Sequence, residues 1–346
     1  MLHRTLTYVG LLCLATFAFA DRTVTDSAGR TVTIPDRIEQ VYAAGPPASI
    51  LTYMLAPEML TGWPRAHHAY ERPFLAPEYV DLPVTGRLTG RGSTANLELV
   101  ITLQPDVILD FGSIRSTYVS LADETQAQTG IPYLLIDGRF NNTPTALRLL
   151  GNILGVPERG ERLAGYADAL FAEIDAVLAT IPEERRPSVY LARGPDGLET
   201  GVKGSINTEI IERAGGRNIA DYGEKMAMQR NLVNMSMEEI IASDPDIILT
   251  WDRQFFDRVF QDPLWADIRA VKQQRVYFAP SAPFGWIDRP PSINRLIGLK
   301  WLTGLLYPEH FQFDLKQAVR EYYRLFYHVD VAEADLNQLI SWSTTR

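Results

Sequence analysis

The chain has 346 residues, 46% hydrophobic and 22% charged, which is enough for two domains with cores of their own and is ordinary for a water-exposed protein. Lys plus Arg number 33 against 42 Asp plus Glu, a net charge of −9, and no basic run occurs, so nothing here offers nucleic acid an electrostatic footprint. The single cysteine, Cys13, sits near the N-terminus, which excludes disulfides, zinc–cysteine sites and cysteine nucleophiles from the remainder.

Residues 1–20 read as a secretory signal peptide. His3 and Arg4 precede an apolar run, Leu6 to Phe19, that ends in Ala18-Phe19-Ala20 before Asp21. The run is short for a bilayer, and Leu11-Leu12 replaces the small residues that would precede a lipidated Cys13. Cleavage after Ala20 predicts a periplasmic mature protein. No later stretch is apolar for long enough to span a membrane.

Val24 to Ile34, two β-branched runs around Asp26-Ser27-Ala28-Gly29-Arg30, predicts a hairpin. Val41 to Ala44 reads as a strand, and Gly45-Pro46-Pro47-Ala48-Ser49 as a turn into a short helix, Ile50 to Leu60. Thr61 to Arg65 ends a further short strand, followed by His67-His68 and the glycine-rich Gly86 to Thr94. Next, Asn96 to Asp110 reads as a short helix, a Pro-Asp stop and a buried strand, and Ser236 to Thr250 repeats that order with Glu98 matching Glu238, Pro105 matching Pro245 and Asp106 matching Asp246. The match extends outward. Val41 to Gly45 pairs with Val189 to Gly194, and Pro132 to Ile136 with Arg275 to Ala279.

Between the copies, Glu158 to Ile181 places Leu163, Tyr166, Ala167, Leu170, Phe171, Ile174, Val177, Leu178 and Ile181 at three- and four-residue spacing. That periodicity predicts one helix about 36 Å long, a spine between two lobes. After Pro291, Ile293, Leu296, Ile297, Trp301 and Leu305 line one side of another helix, and Leu315 to Tyr327 forms the last before a short tail. The expected fold is α/β: two Rossmann-like βα lobes, 21–157 and 182–346, joined by the spine helix 158–181, with a ligand cleft at the carboxyl ends of the strands.

Val24-Thr25-Asp26-Ser27-Ala28-Gly29-Arg30-Thr31-Val32-Thr33-Ile34-Pro35, followed by both Pro-Asp repeats around a spine helix, resembles the periplasmic substrate-binding proteins of iron-siderophore and cobalamin ABC importers. The resemblance covers essentially the whole mature chain. It implies a monomer that binds a small-molecule ligand between its lobes and delivers it to an ABC permease dimer in the inner membrane. It also implies that Glu98 and Glu238, one per lobe, dock on repeated basic groups of that dimer.

Arg65, Arg87, Arg193, Arg253 and Arg289 fall in the loops that form the rim, and planar guanidinium groups suit anionic or oxygen-rich ligands. Trp63, Trp251, Phe284 and Trp286 stand beside them as candidate pocket walls. His67 is a candidate contact to a bound complex, while histidine is too scarce for the protein to ligate a bare metal ion directly. The expected ligand is an iron-siderophore or similar metal complex, with no intrinsic cofactor. The stretch Gly285-Trp286-Ile287-Asp288-Arg289-Pro290-Pro291-Ser292 also resembles relatives that take molybdate or tungstate, so an oxyanion, like cobalamin or a nickel chelate, is the alternative. G-x-S-x-G, H-E-x-x-H, a Walker loop and G-x-G-x-x-G after a strand are missing, which leaves a secreted α/β enzyme as a remote alternative.

Overall fold

The computed structural model describes residues 21–90, 92 and 96–341, and the expected signal peptide lies outside them. The described part starts with an antiparallel hairpin, β1 (Asp21–Thr25) and β2 (Thr31–Pro35). Strands β3 (Val41–Ala43), β4 (Val107–Gly112) and β5 (Tyr133–Asp137) then form a parallel sheet in that order. Beyond the spine come β6 (Ser188–Ala192), β7 (Glu199–Gly201), β8 (Arg217–Asn218), β9 (Leu232–Asn234), β10 (Ile247–Thr250) and β11 (Val276–Phe278). Of these, β11-β10-β6-β8 make a second parallel sheet, while β7 and β9 pair antiparallel. The succession β3-β4-β5 is thus repeated as β6-β10-β11 in a separate sheet, giving two lobes. Their central strands are buried along their length, as parallel strands covered on both faces must be, which explains runs such as Val107-Ile108-Leu109 and Ile247-Ile248-Leu249.

The internal repeat has a local cause. The helices Leu97–Leu103 and Met237–Ser243 are capped by Asn96, which accepts the Glu98 N–H, and by Ser236 in a reciprocal capping box with Glu239. Each stops at a left-handed residue, Gln104 or Asp244, just before the proline. Asp106 Oδ2 then accepts the Glu39 and Gln40 N–H groups at the entrance to β3, and Asp246 Oδ2 accepts the Ser188 N–H and hydroxyl at the entrance to β6. The aspartate of each Pro-Asp pair therefore aligns a neighbouring strand, which is why the motif recurs.

The spine helix runs from Pro157 to Leu178 and buries Leu163, Ala164, Ala167, Leu170, Phe171, Ile174 and Leu178. It stops short of the expected Ile181 because the chain tightens there, Ile181 N–H bonding back to the Leu178 carbonyl, before Pro182 excludes further helix. The helix Thr143–Ile153 lies against its first turns, and a Cβ on Gly151 would come within 2.9 Å of the Gly160 Cα, so only glycine permits this approach.

The C-terminal helices differ from the expected single lobe 182–346. Helix Leu315–Phe326 returns to the first lobe: Tyr53 Oη donates to the Tyr327 carbonyl, Arg159 of the spine donates to the Met54 and Leu325 carbonyls, and Phe74 meets Tyr323 edge-on at 5.5 Å. Its buried stripe of Val319, Tyr322, Tyr323 and Phe326 needs an apolar cover, and aromatic residues of the first lobe and Tyr166 of the spine supply it. In place of the short tail, Glu333–Ser341 is helical and buries Leu336 and Leu339. Among the described residues no helix is long and apolar enough to cross a membrane.

Arg295, at the start of helix Arg295–Leu306, is fully buried between the lobes. Its Nη2 donates to Gly138 O of the first lobe at 2.9 Å, and its Nη1 to Ile206 O of the second at 2.9 Å, with Glu209 Oε1 at 3.4 Å. The guanidinium also covers the Phe140 ring at 4.7 Å. Truncating one partner of such a buried pair strands the other charge, so Arg295→Ala should cost about 3–5 kcal/mol of unfolding free energy. Urea unfolding checks this; a loss below about 1 kcal/mol would show that the lobes are held some other way.

Candidate functional site

A cleft of about 1270 Å³ opens between the lobes where the strands end: Pro46 and Pro47 beyond β3, Asp110 to Ser113 at the end of β4, Arg193 to Pro195 beyond β6, Trp251 and Asp252 beyond β10, and residues of the Ser281 to Pro291 strap beyond β11. This is the edge at which parallel α/β sheets take ligands. Eight of the residues expected there line it: Trp63, Arg65, His67, Arg87, Arg193, Trp251, Phe284 and Arg289.

Two do not. Trp286 is 1% exposed, its Nε1 donates to Tyr323 Oη at 3.2 Å, and a Cβ on Gly298 would overlap its carbonyl oxygen. Its place beside the rim arginines in sequence makes it a candidate pocket wall, but the returning C-terminal helix supplies a core that takes it up. Arg253 begins a short helix capped by Asp252, and its side chain turns sideways to Asp257 at 3.0 Å and over Phe278 at 5.7 Å.

The first-lobe wall is an ionic and aromatic cluster. Arg65 grips Glu71 in a bidentate pair at 2.8 and 2.6 Å, and the His68 N–H donates to the same carboxylate at 2.9 Å. His67 stands edge-on to Trp63 at 4.6 Å and against Phe284 at 5.8 Å. Its Nδ1 faces Glu71 Oε2 at 3.4 Å, a close polar contact outside hydrogen-bond geometry, and neither ring nitrogen has a hydrogen-bond partner among the described residues. At the mouth His68 stacks on Tyr70, centroids 5.6 Å apart.

The second-lobe wall is built on Arg193, which lies over Trp251 at 5.2 Å with Glu199 Oε1 and Asp288 Oδ2 at 3.6 and 3.5 Å from its Nε. Asp288 is buried, and its Oδ1 accepts from Asn207 Nδ2 at 2.9 Å and from the Arg289 N–H at 2.7 Å. Burial raises its carboxyl above the usual range, against the opposing pull of Arg193 and Asn207. On the floor, Asp110 accepts from the Thr89 and Tyr133 hydroxyls, each at 3.3 Å, and burial pushes it up to about 6.

Glu71, Asp110, Asn207 and Asp288 were not singled out from sequence. Asp110 had a legible signal: it is a carboxyl inside a buried apolar strand, at the position where the repeat carries Thr250. The other three are brought in by loops, and nothing in their spacing marks them.

A family model described as periplasmic binding protein matches residues 67–283. The chain belongs to the periplasmic binding protein family. The binding protein is 27% identical to the molybdate-binding protein MolA of Haemophilus influenzae, over 92% of this chain and 94% of that one. It is also similar to the solved structure of an ABC transporter solute binding protein from Sulfurospirillum deleyianum, with a TM-score of 0.83 and 29% identity over 92% of this chain and 99% of the other. The molybdate-bound structure of MolA shares its fold, with a TM-score of 0.73 at 24% identity over 90% and 99% of the two chains. The binding protein is accordingly the substrate-binding component of an ABC importer, with a small-molecule ligand and a permease as partners.

Within the binding protein's first-lobe wall, burial alone would raise the Glu71 carboxyl, but His67, Arg65 and the His68 N–H outweigh it and hold it at about 2. A depressed carboxyl contributes stability that is complete above its ordinary value of 4.5 and is lost as the pH falls from there towards 2. Glu71→Gln should therefore melt below wild type at pH 7, and the gap should narrow steadily as the pH falls from ~4.5 to ~3. A gap that stays constant down to pH ~3 would reject the ionised cluster.

Proposed function

We propose that the binding protein captures a small, oxygen-rich anion, a tetrahedral oxyanion of the molybdate or tungstate class, and releases it to the permease. Arg193 carries this reading. Its side chain is only 11% exposed, yet Nε and Nη1 have no hydrogen-bond partner among the described residues, and its two carboxylate neighbours stand at ion-pair rather than hydrogen-bond distance. A buried guanidinium short of acceptors is costly, and anionic oxygens relieve that cost through charge-assisted bonds. The similarity to a molybdate-binding protein along 92% of the chain supports the same class.

One observation favours a second reading. A cleft of about 1270 Å³ with Trp251, Phe284 and Tyr118 on its walls exceeds what a single oxyanion fills, and suits a metal complex with an anionic periphery, such as a ferric siderophore. Calorimetric titration with sodium molybdate, sodium tungstate, a ferric siderophore and cobalamin separates the two. Saturable binding of the simple oxyanions, weakened about 10–100-fold by Arg193→Ala, is the expected result. Binding of the ferric complex alone would replace the first reading with the second.

Glu98 and Glu238 are exposed, one on the first turn of each repeated helix, with the exposed apolar residues Leu99, Ile101 and Ile241 nearby. Two carboxylates related by the repeat suit a permease dimer whose basic groups recur by symmetry. The double variant Glu98→Ala, Glu238→Ala should keep its ligand affinity and lose permease-dependent uptake in reconstituted vesicles; normal uptake would remove these residues from docking.

A further inference from the structure

Asp110 is a carboxyl on the floor of the cleft, and unlike Glu71 and Asp288 on the walls it faces no guanidinium group among the described residues. It lies in β4 two residues before the strand ends, is 5% exposed, and has no ion-pair partner among the described residues. Among the described residues its oxygens are held by neutral donors, the hydroxyls of Thr89 and Tyr133, both at 3.3 Å, with the Phe111 N–H beside them. Among the described residues the titratable groups packed around it carry no compensating charge. Tyr133 on β5 and Tyr42 on β3 are both held protonated by burial, and Tyr118 lines the cleft from helix Ser116–Thr129. Arg30 reaches only the Tyr133 carbonyl and is committed to Asp26 and Asp123, while Arg87 donates its Nε to Gly92 O.

An ionised carboxylate in such a place repels a fully ionised oxyanion. A protonated one donates a hydrogen bond to it. We propose that Asp110 is a specificity-determining residue of the cleft, taking up one proton from solvent as a fully ionised oxyanion binds and presenting that proton to a ligand oxygen. The inference rests on the oxyanion reading above.

Magnitudes favour proton uptake over coexistence of the charges. Burial places Asp110 at about 6, so at pH 7 the protonated form is about tenfold disfavoured. Like charges about 4 Å apart at an effective dielectric near 20 impose a penalty of about a thousandfold. The smaller penalty prevails, and the anion arrives with a proton. An oxyanion that keeps a proton of its own, such as hydrogenphosphate, donates instead to the ionised carboxylate and needs no uptake.

The test is calorimetric titration of sodium molybdate into wild type in two buffers of different ionisation heat, from pH 5.5 to 8. At pH 7 about one proton should be taken up per molybdate, and affinity should fall about tenfold for each pH unit above 6. Asp110→Asn, which keeps a donor in place without charge, should bind with no proton uptake and a flat pH profile. Tyr133→Phe removes a donor that stabilises the ionised carboxyl, so it should move the break in the wild-type profile to higher pH, a result that does not depend on the asparagine variant folding. Molybdate binding to wild type without proton uptake overturns the role of Asp110 and leaves the oxyanion reading intact. No saturation by molybdate or tungstate anywhere in that range overturns both.

Discussion

One buried cation governs the geometry of this protein. Arg295 has no access to water, so its nitrogens need acceptors within the protein, and each has one: Nη2 at Gly138 O of the first lobe, Nη1 at Ile206 O and Glu209 of the second, and Nε at Ser292 O. Glu209 in turn accepts the Phe140 N–H at 3.0 Å, so the two lobes share one polar network beneath the cleft. Burial lowers the Arg295 guanidinium from its ordinary value, while Glu209 and Asp288 favour its charge. A joint of this kind resists opening, because each degree of lobe separation strips acceptors from a charge that water cannot reach.

On that joint the two lobes are alike in scaffold and unlike in lining. The repeated Pro-Asp turns, helix caps and strand order serve only to place strand ends. What those ends carry differs. The first lobe presents a carboxyl, Asp110, where the second has Thr250, and the second presents Arg193 over Trp251. Backbone geometry tolerates many side chains at a strand's exit, so one architecture can host different ligands by changing these loops.

The strap from Ser281 to Pro291 connects the lobes a second time. Phe284 packs on Trp63 and His67 of the first lobe, and Asp288 bonds Asn207 of the second. Beneath it Tyr327 and Tyr323 stack at 4.8 Å, with Phe284 over Tyr327 at 6.3 Å, so the returning C-terminal helix supports the cleft wall from below. A ligand contact in the strap is thereby coupled to the packing of residues far along the chain.

Sequence alone determined whatever depends on neighbours along the chain. Helical spacing marked the spine, Pro-Asp stops marked the two repeated units, and apolar runs marked the buried parallel strands, because each of these signals is written within a few residues. Tertiary structure decided the rest. Trp286 sits in a loop as expected, yet helix Leu315–Phe326 covers it, and Arg253 starts a short helix in which Asp257 draws its side chain aside. Arg295 reads as one more helical arginine until Gly138 and Ile206 are brought to it from opposite lobes. Glu71 is ionised and Asp110 raised for the same reason: burial and hydrogen-bond partners set a carboxyl's charge, and both are supplied by chain segments that meet only when the protein folds.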